Sequence, residues 1–278
     1  MNTLNKLQYL SFRYPTNVTR LIICDFDETY MPYLEENKNK SGIPELENFI
    51  NNNIEKLSML LGWVTGSSLS AVLRKSYKYV STYPHYIASS LGSEFYWVRN
   101  GEIEEDEDWN MQIKKSGFEK GSIKTVVQIL QNRGVNLIKQ IDDYQGKFLE
   151  SYYLLMSKRT NEDLLMISEL ASEYNIKVIT TKCNPAAGDP ENCFDIQFMP
   201  KCCGKKEVLQ FLVEKLGISK VDTWAFGDSF NDLEILQNVG NPYIVANADS
   251  KLIEKMPRAV LKENYCHGIK NTLKKLLS

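Results

Sequence analysis

Ten residues near the start of the sequence leave this chain few folds to choose from. Leu21-Ile22-Ile23-Cys24 is apolar and β-branched, and it runs directly into Asp25-Phe26-Asp27-Glu28-Thr29-Tyr30. A short apolar run without polar alternation reads as a strand covered on both faces. Three carboxylates at the mouth of such a strand are costly unless something neutralises them. In open α/β sheets, ligand chemistry sits just beyond the carboxyl ends of the strands, where these acids fall. At i and i+2, Asp25 and Asp27 can point to the same side of an extended chain, a pair of oxygens fit to share a hard cation such as Mg²⁺. A lone D-x-D is more often an acidic turn after a strand, so the reading depends on the rest of the chain.

The sequence of 278 residues is long enough for one large domain or two smaller ones with real cores. A net charge of -2 with 24% charged residues gives no electrostatic case for nucleic acid or an anionic membrane surface as partner. The longest uncharged stretch, Leu57 to Leu73, is interrupted by Gly62, Gly66 and several serines and falls just short of a bilayer span. Met1 to Arg20 shows no secretory h-region, so a cytoplasmic location is expected. Cys24, Cys183, Cys193, Cys202, Cys203 and Cys266 follow no disulfide-scaffold spacing, and His85 and His267 are the only histidines, which argues against a zinc site. The adjacent Cys202-Cys203 reads as bystander thiols ahead of a redox pair. His85 reads as packed or surface, not catalytic.

Strand and helix patterns then alternate. Pro44 to Leu61 carries apolar residues at helical spacing, Trp63-Val64-Thr65 reads as a strand, and Leu73 to Tyr77 as helix again. That succession predicts a doubly wound, mostly parallel, Rossmann-like sheet. Tyr86 to Ser90 and Glu94 to Val98 read as a strand and its return, with Asn100-Gly101 as the next turn. The acidic run Glu102 to Asp108 reads as a solvated loop. A separate helix-and-sheet block follows: helix at 118–131, strands at 135–141 and 147–156, helix at 161–174 with Asn161 as N-cap, and strand at 176–181. Phe194 to Phe198 is expected to lead back to the first architecture, which resumes with the amphipathic Lys205 to Leu216 and the buried strand Thr223 to Phe226. The expected organisation is 1–110 core, 111–195 inserted α/β unit and 196–278 core.

Chemistry gathers where these strands end. Gly227-Asp228-Ser229-Phe230-Asn231-Asp232 is a second acidic cluster, in which Asp228 can complete an oxygen shell for a cation held by Asp25. Thr65-Gly66-Ser67 offers hydroxyls and free backbone N–H groups at a helix start, an anion seat. Lys205 opens a helix as a point charge suited to phosphate. Singly, each has an ordinary structural reading: a capping Asp, a Ser/Thr turn, a surface lysine. Together they supply acids, hydroxyls and a cation at strand ends.

The set Asp25-Phe26-Asp27-Glu28-Thr29, Trp63-Val64-Thr65-Gly66-Ser67, Lys205 and Gly227-Asp228-Ser229-Phe230-Asn231-Asp232 resembles the four motifs of the haloacid-dehalogenase-like hydrolase superfamily, in the family's order. The resemblance implies that Asp25 is a nucleophile forming an aspartyl-phosphate and Asp27 a general acid and base. It implies Mg²⁺ held by Asp25, the backbone carbonyl of Asp27 and Asp228, with Thr65 and Lys205 on the transferring phosphoryl group. Gly66, Ser67 and Asn231 would support phosphate binding, Asp232 would position Lys205, and Thr29 would brace the nucleophile loop. The lead-in Pro200-Lys201-Cys202-Cys203-Gly204-Lys205-Lys206 departs from the family's small, glycine-containing pattern, so Lys201 and Lys206 stand as alternatives to Lys205.

Spacing places the lid. Thr29 and Thr65 lie 36 positions apart, room for a loop and one helix, whereas 140 separate Thr65 from Lys205. The insertion therefore falls between the second and third motifs, which matches the family's branch with an α/β cap, mostly sugar-phosphate phosphatases. Further stretches, including Pro84-His85-Tyr86-Ile87-Ala88-Ser89, Cys183-Asn184-Pro185 and Gly188-Asp189-Pro190-Glu191, are similar to the kanosamine-6-phosphate phosphatases of bacilli. The turn Gly92-Ser93-Glu94 is similar to the wider sucrose-phosphate phosphatase group. The resemblance implies a small-molecule sugar phosphate as partner, an amino-hexose 6-phosphate, within aminosugar antibiotic biosynthesis. Asn184, Asp189 and Glu94 are candidate contacts to its hydroxyl or amine groups. The competing readings are a sucrose-phosphate-like or broad-specificity sugar phosphatase and, behind it, a phosphomutase or a non-catalytic sugar-phosphate sensor.

Overall fold

The computed structural model describes residues 10–183, 185 and 190–277. It divides into two compact units, one of residues 1–106 with 204–278 and one of residues 107–203. The first begins with β1 (Leu10–Ser11), β2 (Arg20–Cys24), α1 (Glu35–Lys38), α2 (Ile43–Leu57) and β3 (Met59–Val64). It continues with α3 (Leu69–Ser76), β4 (Thr82–Tyr83), β5 (Tyr86–Ser89), β6 (Glu94–Arg99) and β7 (Glu102–Glu105). The inserted unit holds α4 (Glu107–Lys115), α5 (Lys120–Asn132), β8 (Leu137–Lys139), β9 (Glu150–Leu155), α6 (Thr160–Glu173), β10 (Ile176–Lys182) and β11 (Cys193–Pro200). The first unit then resumes with α7 (Lys205–Leu216), β12 (Thr223–Gly227), α8 (Leu233–Leu236), β13 (Asn241–Ile244), α9 (Ser250–Lys255) and α10 (Tyr265–Lys274).

The first unit is built on a seven-stranded sheet ordered β13-β12-β2-β3-β5-β6-β7. The strands from β13 to β5 pair in parallel, and β6 and β7 return antiparallel. This is the doubly wound α/β architecture expected from the sequence. Leu21 to Cys24 are fully buried between β12 and β3, as an apolar run covered on both faces requires. Strand order reverses at β2 and β12, so the loops after these two strands open beside each other. Below them, Trp63 packs against Phe26, Tyr30 and Tyr83 at the centre of the core.

Several boundaries differ from the sequence reading. Helix α2 stops at Leu57, because Ser58 takes a left-handed turn (φ 48°) and its carbonyl accepts from Thr19 and Arg20 N–H. Leu60 and Leu61 therefore belong to β3, not to the helix. The acidic run is not a loop: Glu102 to Glu105 form the edge strand β7 and Glu107 opens α4. Charged side chains suit an edge strand, where they discourage pairing with another chain.

The inserted unit is a four-stranded antiparallel sheet ordered β10-β11-β9-β8, with α5 and α6 burying Ile123, Val126, Leu130, Ile167 and Leu170. It begins at Glu107 rather than 111 and ends at Cys203 rather than 195. The later junction follows from β11, which pairs with β9 and β10 along its whole length and does not return to the first sheet. Asn161 lies inside α6 and is not its cap; the chain enters that helix through a turn in which Thr160 Oγ1 accepts from Ser157 N–H. Among the described residues, no helix is long and apolar enough to cross a membrane.

Candidate active site

Three core strands deliver the acids and hydroxyls, and one helix delivers a cation. Asp25 follows β2, Thr65 follows β3 and Asp228 follows β12, while Lys205 is the first residue of α7. The loop after β2 is fixed by its own backbone: Tyr30 and Met31 N–H both donate to Phe26 carbonyl, and Glu28 N–H to Met31 carbonyl. Glu28 adopts φ 58°, and Asn247 Nδ2 holds its carbonyl at 2.7 Å. Asp25 N–H donates to Phe226 carbonyl, which locks the start of this loop to β12.

Lys205 is buried with Asp25 and Asp232, and its Nζ lies 2.7 Å from a carboxylate oxygen of each. One ammonium thus serves two carboxylates. Burial alone would lower the lysine pKa, but Asp232 and Asp25 outweigh it and hold the ammonium above its ordinary range. Burial pushes the Asp25 carboxyl up to about 7, with Lys205 opposing and Asp232 and Asp27 adding to the rise. The other oxygen of Asp232 accepts N–H from Asp228 (3.1 Å) and Ser229 (3.2 Å), so both oxygens of that carboxylate hold partners. Gly227 makes this possible, since a Cβ there would sit 2.6 Å from Asp232 side-chain atoms.

Asp228 has no ion pair among the described residues; Thr29 Oγ1 donates to it at 2.7 Å. Desolvation and the nearby Asp25 and Asp232 raise its carboxyl well above the usual carboxylate range. Asp25, Asp228 and Asp232 offer oxygens that all lie within 4.8 Å of one another. Hard oxygen donors with surplus negative charge fit a divalent cation such as Mg²⁺.

Asp27 belongs to a different cluster. Its side chain accepts from Ser67 Oγ at 2.6 Å, from Thr65 Oγ1 at 3.4 Å and from Lys75 Nζ at 2.6 Å. The Asp27 carboxylate is thus not among the three grouped acids, which leaves its backbone carbonyl for the metal-binding part that the resemblance gives it and its carboxylate for proton exchange. Thr65 Oγ1 also accepts Ser67 N–H at 3.0 Å, a hydroxyl turn at the start of α3 next to Gly66. Of the three lysines considered, Lys205 meets Asp25, Lys206 lies 3.7 Å from Glu234, and Lys201 is exposed in the inserted unit. Asn231 is exposed. Glu94 is buried, accepting from Ser90 Oγ (2.8 Å) and Tyr96 OH (2.6 Å). Asn184 and Asp189 lie outside the described residues. His85 is wholly buried: Leu61 N–H donates to Nδ1 at 2.9 Å, so the proton sits on Nε2, 3.2 Å from Arg13 carbonyl. The Cys202 and Cys203 sulfurs are 4.0 Å apart and not bonded.

Sequence reasoning missed two residues here. Lys75 sits in the last turn of α3, where a basic residue is unremarkable on a helix surface. Asp249 caps α9 through Leu252 N–H, as an Asp before an apolar run could have suggested. Nothing in the sequence shows that it also accepts from Phe230 N–H at 2.8 Å and so holds the loop carrying Asp228.

A doubly wound sheet with these acids at its switch point and an α/β insertion between the second and third motifs defines a haloacid-dehalogenase-like hydrolase. The family model for sucrose-6F-phosphate phosphohydrolase matches residues 18–273, and the chain belongs to that family of phosphoric monoester hydrolases. It is 35% identical over 265 residues to "Kanosamine-6-phosphate phosphatase" of Bacillus subtilis (strain 168), covering 92% of each chain. Among solved structures, a haloacid dehalogenase-like hydrolase protein from Bacillus subtilis (yhjK) superposes with a TM-score of 0.76 at 33% identity, covering 97% of this chain and 96% of that one. The sucrose-phosphatase from Synechocystis sp. PCC6803, solved with sucrose and phosphate, shares the fold at TM-score 0.70 and 16% identity, with 93% and 98% covered.

Proposed function

We propose that this protein hydrolyses a hexose 6-phosphate, with an amino sugar phosphate such as kanosamine 6-phosphate as the substrate, through an aspartyl-phosphate on Asp25. The observation that carries this reading is the convergence of Asp25, Lys205, Asp232 and Asp228 at adjacent strand ends. The substrate rests on the 35% identity to the Bacillus subtilis kanosamine-6-phosphate phosphatase.

In the first half-reaction a carboxylate oxygen of Asp25 attacks phosphorus, the bond from phosphorus to the sugar oxygen breaks, and Asp27 gives its proton to the departing oxygen. In the second half, Asp27 takes a proton from water as the water oxygen attacks phosphorus. The acyl-phosphate bond breaks, releasing inorganic phosphate and restoring both acids. Lys205 and the Thr65-Gly66-Ser67 seat hold the phosphoryl oxygens, where charge must be stabilised. Asp25 and Asp228, with the backbone carbonyl of Asp27, would hold Mg²⁺, and Asp232 keeps Lys205 in place. The ion, when bound, offsets the repulsion between a carboxylate and a phosphate dianion. Asn184 and Asp189 remain the proposed sugar contacts. Glu94, whose two oxygens accept from Ser90 and Tyr96 and keep further acceptor positions, is proposed with them.

The test is a screen of purified protein against kanosamine, glucose, mannose and sucrose 6-phosphates, measuring free phosphate and isomerised sugar phosphate, with and without a chelator. Phosphate release that prefers the amino sugar and stops when divalent metal is stripped is the expected result. A flat profile would reduce the reading to a general sugar phosphatase. Isomerised product would make it a mutase, no turnover at all would favour a sensor, and release indifferent to metal would end the magnesium assignment.

A further inference from the structure

The resemblance that names Asp27 as acid and base says nothing of what holds its carboxylate still, and a carboxylate on a single χ2 torsion rotates broadly. Here each oxygen is held. Lys75 Nζ lies 2.6 Å from Oδ1, and Ser67 Oγ lies 2.6 Å from Oδ2 with Thr65 Oγ1 at 3.4 Å. Lys75 Nζ also donates to Ser67 Oγ at 3.0 Å, so the lysine, the serine and the carboxylate close a three-membered ring of contacts. The ammonium is itself backed by the ring of Tyr33, 5.4 Å away at its centroid. Tyr33 in turn donates its N–H to the Glu28 side chain, in the same loop as Asp27. An ionised carboxylate offers about four acceptor positions. Three are taken, and the one left is on Oδ1, the oxygen Lys75 fixes.

We propose that Lys75 is a positioning residue that orients the Asp27 carboxylate, leaving one Oδ1 lone pair for the proton exchanged with the sugar oxygen. The inference rests on Asp27 being the general acid. Lys75 therefore matters in proportion to how much the leaving oxygen needs a proton. A sugar alkoxide needs one, whereas p-nitrophenolate departs without it.

The experiment compares kcat/KM for kanosamine 6-phosphate and p-nitrophenyl phosphate in wild type, Lys75→Met, Lys75→Gln, Lys75→Arg and Asp27→Asn. Lys75→Met is expected to lower kcat/KM on the sugar phosphate about 10²-fold, the scale of general acid catalysis, because kcat/KM reports the half-reaction that ends with departure of the sugar and not the attack of water that both esters share. Its loss on p-nitrophenyl phosphate should stay below about fivefold, and Lys75→Arg should recover most of the sugar phosphate activity. Equal losses on both esters for Lys75→Met, with Asp27→Asn still selective, would overturn the inference and make Lys75 a phosphate ligand or a structural residue. Equal losses for Asp27→Asn would instead overturn the general-acid reading itself. Should Lys75→Met not fold, Lys75→Gln, which also removes the charge, must show the same selectivity, or the inference falls.

Discussion

At the strand ends, four carboxylates (Asp25, Asp27, Asp228 and Asp232) face two ammonium groups, Lys75 and Lys205. The excess negative charge is a stability cost that a functional site carries and a merely structural ion-pair cluster would not. Removing one charge should therefore help folding while it ends chemistry. Asp25→Asn keeps an acceptor for Lys205 and relieves repulsion with Asp232 and Asp228. In metal-free buffer at pH 8 its thermal midpoint should rise by about 2 °C, roughly 1 kcal/mol for a chain of this size. Phosphate release should fall by more than about 10³-fold. Turnover within tenfold of wild type would remove Asp25 from the nucleophile role. The acids were legible only as a set: each alone passes for an acidic turn or a capping Asp, but Asp25, Asp27, Asp228 and Asp232 recur at strand ends together with Thr65 and Lys205. Lys75 was not, because a lysine in the last turn of a helix looks the same whether it meets water or Asp27. For Glu94 the glycine turn suggested a ligand contact, and what the sequence did not show is that it is buried, with Ser90 and Tyr96 hydroxyls donating to its two oxygens.

The elements themselves were harder to bound than to detect. From 44 to 61 the apolar residues keep helical spacing across Ser58, because the strand that follows is buried on both faces and its continuous apolar run satisfies either period. What ends the helix is a left-handed residue, a backbone event that serine does not announce. Within that strand, Gly62 has a role that periodicity could not reveal. A Cβ at this position would lie 2.0 Å from the Tyr86 ring, and Tyr86 cannot swing away easily because its hydroxyl donates to Ile22 carbonyl at 2.9 Å. Gly62→Ala should cost about 3 kcal/mol or more, the upper range of overpacking, measured by urea denaturation. A loss under about 1 kcal/mol would mean that the ring yields. β11 failed for a related reason. Its sequence says strand, but which sheet it joins depends on partners such as Tyr152 and Thr180, which sit far off in sequence or on another hairpin arm.

Over the whole molecule, the pattern of strand ends and the long gap between Thr65 and Lys205 were enough to read a doubly wound sheet interrupted by a second α/β unit. What they could not carry was how buried ionisable groups set the pH range of the folded state. Two such groups lie away from the candidate site and pull in opposite directions. Glu47 on α2 is buried, accepts N–H from Ser81 and Thr82, and is pushed up to about 7 by desolvation, against which those hydrogen bonds work. A carboxyl raised above its unfolded value contributes stability that is complete below about pH 4.5 and is lost as pH rises through 7. His85 is held down to about 4 by burial, so its contribution is present above about pH 6.5 and is lost as pH falls toward 4. Each shift corresponds to about 3 kcal/mol at full extent, since a pKa unit is worth about 1.4 kcal/mol. Glu47→Gln can keep a carbonyl facing the two N–H groups while removing the titration. Relative to wild type it should therefore gain about 2 to 3 kcal/mol between pH 5 and pH 8, and the acid-side decline owed to His85 should persist in both proteins. Denaturation midpoints at pH 5, 6.5 and 8 measure both effects. A difference between the two proteins that does not change with pH would show that Glu47 is ionised throughout, with Ser81 and Thr82 N–H groups outweighing its burial.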